Sequence, residues 1–188
     1  MEDIAARLDR FRAHCSDEGF LANRGLSNEV GIYIFAYRPC EEMAVRRFME
    51  SLSGAAPRAG AAGRFLVFDL YEILLDICRE RRVLERIADM EAQRGSAFVR
   101  ERIARIAPPE AYVERMQRQP HGSGDVVLIG GVGRVYPYMR AHTLLNNLQH
   151  AFADIPTVLF YPGEYSGQSL TLFGRFMDDN YYRAFNLI

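Results

Sequence analysis

Residues 125–147, DVVLIGGVGRVYPYMRAHTLLNN, constrain the fold of this chain more than any other stretch. Val126, Val127, Leu128 and Ile129 form an unbroken apolar run, the pattern of a strand buried on both faces. Gly130 and Gly131 end the run, and Gly133 follows in a loop. Pro137 then precedes a helical pattern whose apolar face carries Leu144, Leu145, Leu148 and Phe152. Buried strand, glycine loop and helix together describe one step of an open α/β sheet. In such sheets ligands or partners meet the loops at the carboxyl ends of the strands. Arg134, Tyr136, Tyr138 and Arg140 surround this loop and mark a candidate recognition surface.

The remaining chain fits the same plan. Ile4, Leu8 and Phe11 are spaced for one face of a short helix over residues 3–14. Residues 30–37 are β-branched and aromatic, a buried first strand ended by Pro39. A helix is predicted over 41–52. The small-residue stretch 53–63 has no apolar periodicity to dock it and is expected to be a mobile loop. Residues 65–68 form a second strand, and Asp69 is placed to cap the helix after it. Residues 79–118 read as all-helical, with ten arginines against seven acidic residues. That mixture is the pattern of a solvated, salt-bridged helical face, and the interspersed acids weaken a reading as a DNA-phosphate surface. A fourth strand covers 156–161, closed by Pro162 and Gly163. Residues 169–176 and 181–187 are expected to close the sheet edge as an antiparallel hairpin. The expected fold is a single three-layer α/β domain over residues 1–188. It has a mainly parallel sheet with helices on both faces, a helical segment at 70–118 and a C-terminal β-hairpin.

Several kinds of chemistry are excluded by residue type. All 23 basic residues are arginine, so no Schiff-base or phosphate-loop lysine is available. G-x-G-x-x-G is absent, since Gly131 and Gly133 are followed by Arg134, Val135 and Tyr136 without a third glycine. The four histidines lack zinc-ligand spacing, and no G-x-S-x-G elbow occurs. Cys40 at a helix start and the Asp178–Asp179 pair come nearest to a nucleophile and an ion site. An incidental cysteine and a solvated turn are the preferred readings of these. No catalytic residue, cofactor or metal is expected. Net charge is −1, which gives no general pull toward nucleic acid or membrane. The three scattered cysteines suit a reducing compartment. The N-terminus is not a signal peptide, and no apolar run spans a bilayer. A cytoplasmic protein is expected.

Tyrosine and arginine accumulate toward the C-terminus: Tyr161, Tyr165, Arg175, Tyr181, Tyr182 and Arg183. These two residue types are enriched where proteins bind proteins. With the glycine-loop residues they make a candidate interface of Arg134, Tyr136, Arg140, Tyr165, Arg175, Tyr181, Tyr182 and Arg183. Arg140 is expected to anchor the 161–167 turn, or a partner carboxylate, by a bidentate contact. The strand at 181–187 is expected to offer a free sheet edge to a partner.

Motifs in order along the chain carry a family resemblance: GLSNEV at 25–30, GGVGRVYP at 130–137, RAH at 140–142, LLNNL at 144–148, VLFYPG at 158–163, GQSL at 167–170, LFG at 172–174 and NYYRAF at 180–185. In these the chain resembles the BrxB family, a component of the BREX bacteriophage-exclusion systems. The resemblance covers almost the whole chain and is densest after residue 125. Ala36 and Arg38 depart from the expected ending of the first strand, and the 53–63 loop is peculiar to this sequence. The resemblance implies a role in anti-phage defence beside a DNA methyltransferase, a large ATPase and a PglZ phosphatase-like protein. It implies an assembly subunit with a PglZ-like partner and carries over no catalytic residue. A second copy of the chain is the other expected partner; no membrane is, and nucleic acid is expected only within the larger complex. The rival readings are a degenerate nucleotide-binding module and a DNA-binding accessory subunit.

Overall fold

The computed structural model describes residues 3–22, 31–57, 59–60, 62–148, 150–178 and 184–187. The GLSNEV motif and the interface candidates Tyr181, Tyr182 and Arg183 lie outside the described residues, as does Asp179.

Strands β1 (Ile32–Tyr37), β2 (Phe65–Asp69), β3 (Val126–Gly130), β4 (Thr157–Tyr165) and β7 (Phe185–Asn186) form a sheet in the order β2-β3-β4-β1-β7. Every neighbour along that path is parallel. Parallel neighbours need crossover connections, and helices supply them: α3 (Glu42–Leu52) after β1; α4 (Leu70–Glu80), α5 (Ile87–Ile106) and α6 (Pro109–Gln117) after β2; α7 (Val132–Val135) and α8 (Ala141–Leu148) after β3. The expected α/β class with its mid-chain helical segment is present.

Strand alternation sorts the core into two layers. Phe35, Val126, Leu128, Val158 and Phe160 face one side. There they pack with Leu8 and Phe11 of α1 (Ile4–His14), with Phe20 of α2 (Glu18–Leu21) and with Val45, Met49 and Leu52 of α3. Ile34, Val127, Ile129, Leu159 and Tyr161 face the other side, against α4 to α8. All five residues of β3 are buried, which is why its sequence shows no alternation. Fully burying each such side chain contributes roughly 1.5–3 kcal/mol.

Three details differ from the sequence expectations. First, β4 does not stop at Pro162 but runs on to Tyr165. Pro162 pairs with Tyr37 in parallel register and Gly163 with Leu172 in antiparallel register. The proline carbonyl still accepts from the Phe173 amide at 2.9 Å, so its missing N–H does not end the strand. Second, the hairpin is built differently. β5 (Leu170–Leu172) pairs antiparallel with β4 and with β6 (Phe176–Asp178). The last strand, β7, crosses to the far edge and pairs parallel with β1, Tyr33 opposite Phe185. The Leu187 amide donates to the Ile34 carbonyl at 3.1 Å there, and the Tyr33 and Phe185 rings meet tilted at 44°. β7 is the last strand in the order, so the side of Phe185 and Asn186 away from β1 is a sheet edge, reached by a parallel pairing and not through the expected hairpin. Third, the first half of the 53–63 loop is pinned. The Phe65 amide donates to Ala55 at 2.8 Å, and the Ser16 hydroxyl donates to the carbonyl of buried Pro57 at 2.8 Å.

Among the described residues no helix is long and apolar enough to cross a membrane. None of their His, Cys, Asp and Glu side chains gather into a group of three able to hold a metal ion.

Candidate functional site

Two sites flank the stretch from Gly130 to Arg140. The first is the cleft at the carboxyl ends of β1, β2 and β3. It measures about 310 Å³ and is lined in part by Tyr37, Glu42, Met49, Asp69, Glu72 and Gly130. Asp69 ends β2 and caps α4 as expected: one carboxylate oxygen accepts from the Tyr71 and Glu72 amides. Its other oxygen accepts from Arg134 at 2.9 Å. Arg134 also donates to Glu72 at 2.8 Å and lies 4.6 Å from the ring centre of Tyr71. Burial disfavours the Arg134 charge, but the hydrogen bond to Glu72 and the charges of Asp69 and Glu72 outweigh it. The net effect raises its pKa above the ordinary arginine value.

Gly131 has φ 77°, in the left-handed region that glycine enters without strain. A Cβ at Gly131 would lie 2.4 Å from an Asp69 carboxylate oxygen. The glycine is therefore required for the loop to close over Asp69. Phosphate-cradling loops aim free N–H groups at open space; this one abuts a carboxylate, which disfavours a phosphate beside it. Tyr37 donates to Glu42 at 2.6 Å, and burial together with that bond holds its phenol well above the usual range.

The second site lies on the other side of α7. A groove of about 280 Å³ is lined in part by Tyr136, Met139, Arg140, Arg175, Phe176 and Met177, with buried Tyr161 at its floor. Three of the sequence candidates, Tyr136, Arg140 and Arg175, meet here from positions up to 39 apart (175 − 136) in the chain. The β5–β6 turn carries Arg175 across to α7, where the Phe176 ring stacks on Tyr136 at 5.1 Å. Phe176 is 47% exposed and Met177 67% exposed. Arg140 and Arg175 are both exposed, and neither forms an ion pair among the described residues. The expected Arg140 contact with the 161–167 turn is not made. The Arg140 carbonyl instead accepts from the Leu144 amide and starts α8, which leaves its guanidinium at the rim.

The other candidates separate from this groove. Arg134 is held beside the cleft by Asp69 and Glu72, two of its lining residues. Tyr165 is half-buried at the end of β4, its hydroxyl 2.6 Å from the Ala184 carbonyl and 3.1 Å from that of Gly167. It ties the C-terminal segment down. Phe176 and Met177 escaped the sequence reading as site residues: it placed Phe176 in the strand at 169–176 and Met177 in the connection after it. A signal was present: adjacent apolar residues in a strand point to opposite faces, so both could not enter one core.

A protein-family model described as BREX protein BrxB matches residues 66–187. A BREX protein BrxB from Bacillus cereus is 39% identical over 191 aligned positions, covering 100% of this chain and 99% of that protein. The BREX protein BrxB of Escherichia coli O9:H4 is 28% identical, over 97% of this chain and 90% of its own length. No solved structure matches the chain.

Proposed function

The chain belongs to the BrxB family of BREX proteins, and from that premise we propose that it is a non-enzymatic assembly subunit of a phage-defence complex, holding a PglZ-like partner. The observation that carries this reading is the groove face. Phe176 and Met177 expose apolar surface beside two arginines that no carboxylate neutralises among the described residues. Exposed aromatic and methionine side chains rimmed by arginine have the composition of a protein interface core. Large apolar side chains left this exposed cost solubility unless something covers them. The carboxyl-end cleft fits a non-enzymatic role, because the cations at it are already paired, Arg46 with Glu50 and Arg134 with Asp69 and Glu72.

The test is co-expression with a PglZ-like protein, followed by affinity capture. The wild-type chain should retain the partner, while a folded Arg175→Glu, Phe176→Ser variant should not and should lose phage protection. Capture at wild-type level by that variant places the contact elsewhere. The rival nucleotide-binding reading predicts a rise in melting temperature with ATP or GTP; none is expected, nor is hydrolysis of either.

A further inference from the structure

The helical segment contains a site that the assembly role does not use. Helix α5 is broken at Gly95, whose φ 80° and ψ 163° lie in a region essentially reserved for glycine. No atom lies within 4 Å of a Cβ built there, so the glycine serves the bend and not close packing. The two arms on either side enclose a groove of about 460 Å³, lined among others by Arg86, Arg94, Phe98, Glu101, Arg102 and Arg105. Arg105 is paired with Glu101. Arg86 and Arg102 form no ion pair among the described residues, and the Arg94 guanidinium lies 4.0 Å from the Phe98 ring centre. Elsewhere in the segment Arg79 is paired with Asp76, and Arg115 and Arg118 with Glu80. Arg81, Arg82 and Arg100, which do not line the groove, also form no ion pair among the described residues; what sets the groove apart is that three open guanidiniums face one cavity.

We propose that this groove binds the phosphate backbone of a single-stranded nucleic acid. Three guanidiniums without carboxylate partners converge on one cavity, and phosphate oxygens suit their forked donors. The Arg94–Phe98 pair adds a cation on an apolar ring, a platform on which a nucleobase stacks. A single strand presents one charge and one flat base per residue, which matches a groove with both features. An acidic peptide would use the arginines and leave the platform idle. Duplex DNA keeps its bases stacked internally and cannot reach it.

The experiment is fluorescence anisotropy of the full-length protein with a labelled 20-nucleotide oligo-dT across a salt series. Binding should weaken with salt at a log–log slope near −2, about 0.7 for each of three phosphates. An Arg86→Gln, Arg94→Gln, Arg102→Gln variant should bind about 30-fold more weakly at low salt with most of that slope gone. Phe98→Ala should weaken binding about tenfold and leave the slope in place, separating stacking from charge. Circular dichroism melting of each variant establishes that it is folded. Should the triple variant misfold, Arg102→Gln alone carries the test, with about a threefold loss expected. Equal binding by the folded variant and wild type would overturn the proposal. So would a duplex binding as tightly as the single strand, or polyglutamate competing as strongly as oligo-dT per unit charge. The partner capture above is scored with Arg175 and Phe176 variants, so the two readings fail independently.

Discussion

The carboxyl-end cleft and the groove beyond α7 use the same residue types to opposite ends. In the cleft, Arg134 meets Asp69 and Glu72, and Tyr37 meets Glu42. In the groove, Arg140 and Arg175 stand beside Tyr136 and Phe176 with no carboxylate. Charge neutralised within the chain holds its elements together; here Arg134 ties the β3–α8 connection to the start of α4. Charge left open beside exposed apolar surface contributes little to the fold and is available to a partner. The same contrast holds in the α5 groove, where Arg86 and Arg102 are open and Arg105 is closed by Glu101.

The two regions should therefore respond to substitution in opposite ways. The largest effect is expected from Arg175→Glu combined with Phe176→Ser. Partner affinity should fall by about 100-fold, since a central aromatic anchor is worth at least about 2 kcal/mol and a reversed charge adds repulsion. Its melting temperature should stay close to wild type, because both residues are exposed; isothermal titration and thermal melting measure the two. A loss of stability comparable to the loss of affinity would break the distinction. Next is Arg134→Ala, which removes one cation from two carboxylates. Because the cluster is partly exposed, screening limits the expected cost to about 1–2 kcal/mol in urea unfolding. Partner binding by the folded variant should be unchanged.

Arg140→Ala sharpens the contrast with Arg134→Ala. It removes a rim cation, so affinity should fall about fivefold, mainly through the association rate, and more at low salt. Unfolding should shift by no more than about 0.5 kcal/mol. The smallest effect has the opposite sign. The Tyr112 hydroxyl is fully buried and finds no hydrogen-bond partner among the described residues. Tyr112→Phe should raise stability by up to about 1 kcal/mol in urea unfolding, because it removes an uncompensated desolvation cost. A destabilised Tyr112→Phe protein would show that the hydroxyl has a partner after all.

Legibility in the sequence followed the range of the interaction. The run from Val126 to Ile129, the cap at Asp69 and the helical repeats of α3, α4 and α8 could be read directly. Each depends on neighbours a few residues away, and burial on both faces leaves a plain mark in β3. The Gly130–Gly131 turn was also readable, but its reason was not, since Asp69 lies about sixty residues earlier. The continuation of β4 through Pro162 depended on a partner strand accepting Gly163. The placement of the C-terminus depended on the open edge of β1, which no local pattern near Phe185 announces. Pairing of arginines was the least legible feature. Composition made Arg134, Arg140 and Arg175 look alike, and only packing decided that the first meets two carboxylates while the others reach the surface beside Phe176. Strand and helix patterns record which faces are buried. Which charge finds which partner is set by distances between segments remote in the chain, and those exist only once the sheet has assembled.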